Sequence, residues 1–255
     1  SGAQLPEGPV ATSLALADRL DTLVGIFGIG QSPSGSKDPF ALRRASLGVL
    51  RILVEGELDL DLRECLTMAA QQYTANIIEE DTVEKVLSYM IDRFRAWYED
   101  EQIAVEVFKA VAARELSQPL DIHHRVRAVD AFSRLPEARA LAAANKRVSN
   151  ILDGKSTEIE GHTVSEPLLQ EPAEQQLAAA IAAKHEQASA LFNAGEYTAL
   201  LASLADLQGP VDTFFDEVMV MADDEAVRKN RLCLLNDLRE LFLQVADISQ
   251  LAVTK

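Results

Sequence analysis

Apolar residues in this chain recur at the spacing of an α-helix and almost nowhere alternate as a half-buried strand requires. In "NRLCLLNDLRELFLQV", residues 230 to 245, Leu234, Leu235, Leu238, Leu241, Phe242 and Val245 share one helical face. Alanine, leucine, glutamate and arginine dominate elsewhere, so the expected fold class is all-α. One helix is expected over 8 to 24, with Leu14, Leu16, Leu20 and Leu23 on or near one face after Pro9. A second is expected to start at Asp38-Pro39, with aspartate as N-cap and proline at the first helical position. It would carry Leu42, Leu47, Leu50 and Leu53 and stop at Glu55-Gly56. Further helices are expected over 60–73, 80–98, 102–115, 121–134, 137–152, 173–193, 196–207, 210–220 and 224–250.

The stretch "DGKSTEIEGHTVSEPLLQEP", 153 to 172, has no period and reads as a loop or linker joining two helical units. At 255 residues and 48% hydrophobic, the chain can bury a sizeable core in one large or two medium domains. No apolar run approaches the length of a membrane span, so no membrane partner is expected, and "SGAQLPEGPV" has neither a charged nor an apolar leader region. The opening without Met suggests a C-terminal fragment of something longer. Cys65 and Cys233 lack ligand spacing and read as buried thiols.

Enzyme signatures are missing. There is no G-x-x-x-x-G-K-[ST], G-x-S-x-G or H-E-x-x-H, and only four histidines. "GIFGIG", 25 to 30, follows a helical segment rather than a strand and reads as a tight turn. His123 and His124 are helix neighbours about 100° apart, unsuited to sharing a metal. Asp59 and Asp61 in "LDLDL", 58 to 62, read as a loop leading into a helix with an acidic start. No catalytic and no metal-binding residue is expected.

Against a net charge of −16, two cationic islands stand out. Residues 37–51 hold Lys37, Arg43, Arg44 and Arg51 against Asp38 alone, and residues 228–239 hold Arg228, Lys229, Arg231 and Arg239 against Asp237 alone. Such patches suit a polyanion, because counterion release lets a few Lys and Arg contacts dominate affinity. The acidic remainder would confine binding to them. Asp38, as a cap, would blunt phosphate binding at the helix start. At 100° per residue Arg228 and Arg239 fall at one edge of the apolar face, whereas Arg231 projects nearer it, where a buried carboxylate pair is the alternative to RNA contact.

"LALADRLDTLVG", 14 to 25, resembles the last aspartate motif of the HD superfamily of metal-dependent phosphohydrolases, with Asp18 at the metal-closing position, yet no His precedes Asp18. Asp18 and Asp21 then read as capping or ion-pairing residues. Three longer passages, "LADRLDTLVGIFGIGQSPSGSKDPFALRRASLGVLRIL", "AAANKRVSNIL" and "FFDEVMVMADDEAVRKNRLCLLNDLRELFLQVADISQL", together resemble the C-terminal part of the β subunit of bacterial glycyl-tRNA synthetase. The resemblance implies a cytoplasmic glycine–tRNA ligase of two kinds of chain. ATP and Mg would act only on the separate α subunit, no cofactor would bind here, and the partners would be tRNA(Gly), that α subunit and the missing part of β. It implies a degenerate HD-like helical domain over 1–115, a connecting helix over 116–136 and a helical anticodon-binding domain over 137–255, of which 153–172 would be an internal loop. Lys146 and Arg147, beside Asn145 and Asn150, join the tRNA-binding candidates by that resemblance. Among the aromatics, Phe214 and Phe215 read as core and Tyr197 as the more exposable. An HD-type phosphohydrolase fragment, or a helical interaction domain without RNA, is the alternative reading.

Overall fold

A computed structural model describes residues 4–34, 37–74 and 78–252. Its elements are α-helices with short 3-10 turns, and among the described residues there is no strand, only an isolated bridge between Ser34 and Lys37. The chain forms two compact units, one of residues 1–105 and 116–123, the other of 106–115 and 124–255.

The first unit contains α1 (Pro9–Gly28), α2 (Leu42–Glu55), α3 (Leu62–Ala70) and α4 (Thr82–Asp100). Leu16, Leu20, Leu23 and Val24 of α1 meet Leu42, Val49, Ile52 and Leu53 of α2, Leu62 and Leu66 of α3, and Val86, Leu87 and Met90 of α4. Leu14 and Leu47, expected on the buried faces, are exposed, Leu14 at 70%. Leu14 precedes Leu16 by two residues, which on a helix turns it about 200° away from the core.

The start of α2 differs from expectation. Asp38 caps it, but from four residues back: its Oδ1 accepts from Leu42 N at 2.8 Å and its Oδ2 from Arg43 N at 3.0 Å. Ala41 stands between in the left-handed region at φ 56°, so the helix begins at Leu42 rather than at Pro39. That conformation costs a non-glycine residue about 1–2 kcal/mol, and the two carboxylate bonds to otherwise orphaned N–H groups offset it. Asp61 caps α3 conventionally, accepting from Glu64 N at 3.2 Å.

The second unit contains α5 (Val105–Ala112) from residue 106 on, the later part of α6 (Pro119–Ser133), α7 (Ala138–Leu152), the single turn α8 (Ser156–Ile159), α9 (Pro172–Asn193), α10 (Tyr197–Leu204), α11 (Gln208–Glu217) and α12 (Glu225–Leu243). Contacts do not divide at 115/116. The apolar side of α5 is buried with the second unit, where Asp247 N donates to Ala110 O at 2.9 Å. Residues 116–123 return to the first: Leu62 N donates to Ser117 O at 2.8 Å, Ser117 Oγ donates to Asp61, and Tyr98 hydrogen-bonds His123.

The stretch 153–172 lies inside the second unit. Asn230 of α12 clasps it with both ends of its amide, accepting from Ser165 N at 2.7 Å and donating to Ser165 O at 3.1 Å. Buried Arg125 closes the far end of α12, donating to the carbonyls of Gln244 and Val245 and lying over the Tyr197 ring at 4.5 Å. A cation there satisfies the orphan carbonyls and complements the helix dipole.

Candidate nucleic-acid interface

In the first unit the cationic corner is built on the α2 start. Lys37 and Arg44 are exposed and make no ion pair among the described residues. Arg43 is half-buried and sits near Tyr89 and Arg93 of α4: burial pushes the Tyr89 phenol up, Asp38 adds to it, and Arg93 and Arg43 oppose. Asp38 holds the first two helical N–H groups, so the available charge at this corner belongs to side chains and not to the helix terminus. Arg51 is committed elsewhere, with Nε 2.5 Å from Glu55 on the same helix.

The island on α12 is largely turned inward. Arg231 is 5% exposed; its Nε donates to Glu174 at 2.5 Å and a terminal nitrogen to Met219 O at 2.7 Å, so the buried alternative holds and it does not face a ligand. Burial opposes ionisation of Glu174, but the Arg231 bond and the N–H groups of Glu171 and Gln170 overcome this and hold its carboxyl below the usual range. Arg228 is half-buried between Glu158 at 3.4 Å and the Ala222 carbonyl at 3.3 Å. Arg239 is half-buried, with its Nε enclosed and unpartnered among the described residues. Lys229, also half-buried, and Arg239 have neither ion pair nor hydrogen bond among them.

On α7, Lys146 and Arg147 are both exposed. Arg147 lies over the ring of Phe215, 4.2 Å from its centroid, and Phe215 meets Phe214 edge-on at 5.5 Å. Asn145 is buried, donating to Leu141 O, while Asn150 is exposed. Phe214 is core as expected; Phe215 is half-buried under the arginine. Tyr197, expected to be the accessible aromatic, is buried beneath Arg125 and Phe192.

The glycyl-tRNA synthetase beta subunit profile matches residues 1–113, and the DALR anticodon binding domain profile matches residues 141–249. A glycine–tRNA ligase beta subunit from Chromohalobacter salexigens is 59% identical over 247 residues, and one from Marinobacter nauticus is 55% identical over 251, covering 97% and 98% of this chain. The chain belongs to the glycyl-tRNA synthetase β subunit family. It spans 36% of the length of each of these two relatives, matching a C-terminal part.

For a member of this family one concavity of the second unit has the wrong sign for RNA. It is a cleft of about 1170 Å³ between α9, α12 and residues 164–169, carrying Glu166, Asp237 and Glu240 with His185. Burial pushes the Asp237 carboxyl up and Glu240 adds to it, while His185 opposes. Asp18 stands exposed in the middle of α1, with no cap or ion pair among the described residues, contrary to the expected structural role. Among the described residues no three His, Cys, Asp or Glu side chains gather as a metal site, and no helix is long and apolar enough to cross a membrane. Several exposed cations lie outside the sequence candidates, among them Lys109, Arg114 and, on α7, Arg139. The signal for Arg139 was a helix of 15 residues with three cations and no carboxylate.

Proposed function

We propose that this chain is the non-catalytic tRNA-binding portion of a glycine–tRNA ligase β subunit, holding tRNA(Gly) while glycine is activated on the α subunit with ATP and Mg, in the cytoplasm. One observation carries the reading. In a chain of net charge −16, Lys37, Arg44 and Lys146 are exposed and Lys229 is half-buried, all four without carboxylate partners among the described residues. An acidic protein that leaves cations uncompensated presents them to an external anion, and its remaining charge repels RNA from every other face. The family supplies the anion, since the relatives are named for ligating glycine to tRNA.

The first unit would offer the phosphate-facing corner of Lys37, Arg43 and Arg44, and the second the surface of α7 with Lys229. Arg228 and Arg239 would assist at the rim of α12, and Arg231 would hold the fold. The test is tRNA(Gly) affinity of the complete synthetase across salt concentrations, for wild type and for Lys37→Ala/Arg44→Ala. Each lost phosphate contact makes the log–log slope shallower by about 0.7–0.9. A slope identical to wild type, with unchanged melting temperature, would remove the corner from the tRNA contact.

A further inference from the structure

We infer that the exposed face of α7 is the RNA-facing track of the second unit, on which Arg139 and Lys146 neutralise phosphates and the Arg147–Phe215 stack seats an unstacked base. This rests on the tRNA-binding reading above and deepens it by adding Arg139, which neither the resemblance nor the cationic islands single out, and by giving Arg147 a stacking role on Phe215. The charge pattern comes first. The chain carries 40 acidic residues in 255, yet the 15 residues of α7 include Arg139, Lys146 and Arg147 and no Asp or Glu.

Register places these cations together. At about 100° per residue, positions 139, 143, 146 and 150 lie within about 60° of one another, with 147 at the margin. All five are exposed, while Leu141, Ala142, Ala144, Asn145, Val148 and Leu152 turn to the interior. Arg139 and Lys146 stand about 10 Å apart along the axis. Neither makes an ion pair or hydrogen bond among the described residues. The carboxylates of the neighbouring α11, Asp212 and Asp216, form no ion pair with Lys146 or Arg147 either. Ala143, between them, raises no side chain that would hold a backbone away.

Arg147 serves differently. Its guanidinium rests on Phe215, which is itself fixed against Phe214. An arginine already ordered on a ring has lost most of its rotamer freedom before binding, and its outer plane can stack a splayed nucleobase. Exposed Asn150, one turn further on, can both donate to and accept from a base edge. Phosphate-neutralising cations beside a planar cation match a single-stranded RNA loop better than a duplex, whose bases are already stacked. By contrast Arg231 of α12 spends its guanidinium group inside the protein, and half-buried Arg239 has its Nε enclosed.

Binding of tRNA(Gly) by the complete synthetase at several salt concentrations tests this, with melting temperature as the folding control. Arg139→Ala/Lys146→Ala should make the slope shallower by about 1.4–1.8. Arg147→Lys keeps the charge and loses the plane, so the slope should stay while affinity falls about two- to five-fold. If the α7 double variant leaves the slope unchanged while Lys37→Ala/Arg44→Ala makes it shallower, α7 is not the track and the tRNA reading survives. If neither variant changes the slope, both fall. If the α7 variants keep their tRNA slope but release the partner subunit in gel filtration, the face is a protein interface and the inference is overturned.

Discussion

Replacing Arg231 by Met tests whether the α12 island is architecture rather than interface. The substitution keeps most of the side-chain volume and removes three things at once: the Nε bond to Glu174, the bond to the Met219 carbonyl, and the positive charge facing a carboxylate with 0% exposure. Glu174 would retain only the N–H groups of Gln170 and Glu171, each at 2.8 Å. Breaking a buried pair on one side costs about 3–5 kcal/mol, because the surviving charge is stranded. The second unit has about 140 residues. At about 2.1 cal/mol/K per residue its unfolding entropy is about 0.3 kcal/mol/K, so the melting temperature should fall by about 10–17 °C. The double variant Arg231→Met/Glu174→Gln removes the stranded charge and should recover part of the loss. Differential scanning calorimetry reads both. The pair also fixes a pH dependence. The folded Glu174 carboxyl lies below its unfolded value, so its stabilisation is complete above the ordinary carboxyl range and is lost as pH falls through the folded value. A fall of less than about 2 °C for Arg231→Met at neutral pH would refute the buried pair and return Arg231 to the list of RNA contacts.

Two further predictions follow from the capping and clasping contacts. Asp38→Ala should lose both N–H bonds at the α2 start and lower the stability of the first unit by about 1 kcal/mol in urea denaturation; no change would mean that the left-handed Ala41 start forms without the carboxylate. Asn230→Ala should release the backbone of Ser165, so that limited proteolysis cuts within 153–172 faster than in wild type, whereas equal cutting would show that the amide does not hold the segment.

The helices were legible because 3.6-residue periodicity is a local property, and most of them stand within a few residues of where the pattern put them. What escaped was decided by partners distant in the chain. Arg231 meets a carboxylate 57 residues away, and Tyr197 is covered by an arginine 72 residues away, so neither burial could be read from its own neighbourhood. The α2 start was misplaced for a local reason: Asp-Pro suits a helix opening, but the carboxylate reaches past a left-handed Ala41 to cap later. Arg139 lies outside both clusters of cations, and its signal is the absence of acids over a whole helix. The division near 115 also depends on tertiary contact, since the buried side of α5 and the Ser117 bonds assign adjacent segments to different units.

Ultraviolet crosslinking of tRNA(Gly) to the complete synthetase, with crosslinked peptides located by mass spectrometry, bears on tRNA binding without substitution. Crosslinks should fall in peptides containing residues 37–44 and 139–150, and be absent from the acidic cleft between α9 and α12. Crosslinks confined to the cleft, or none within this chain while the rest of the subunit is labelled, would contradict a tRNA-binding role for it.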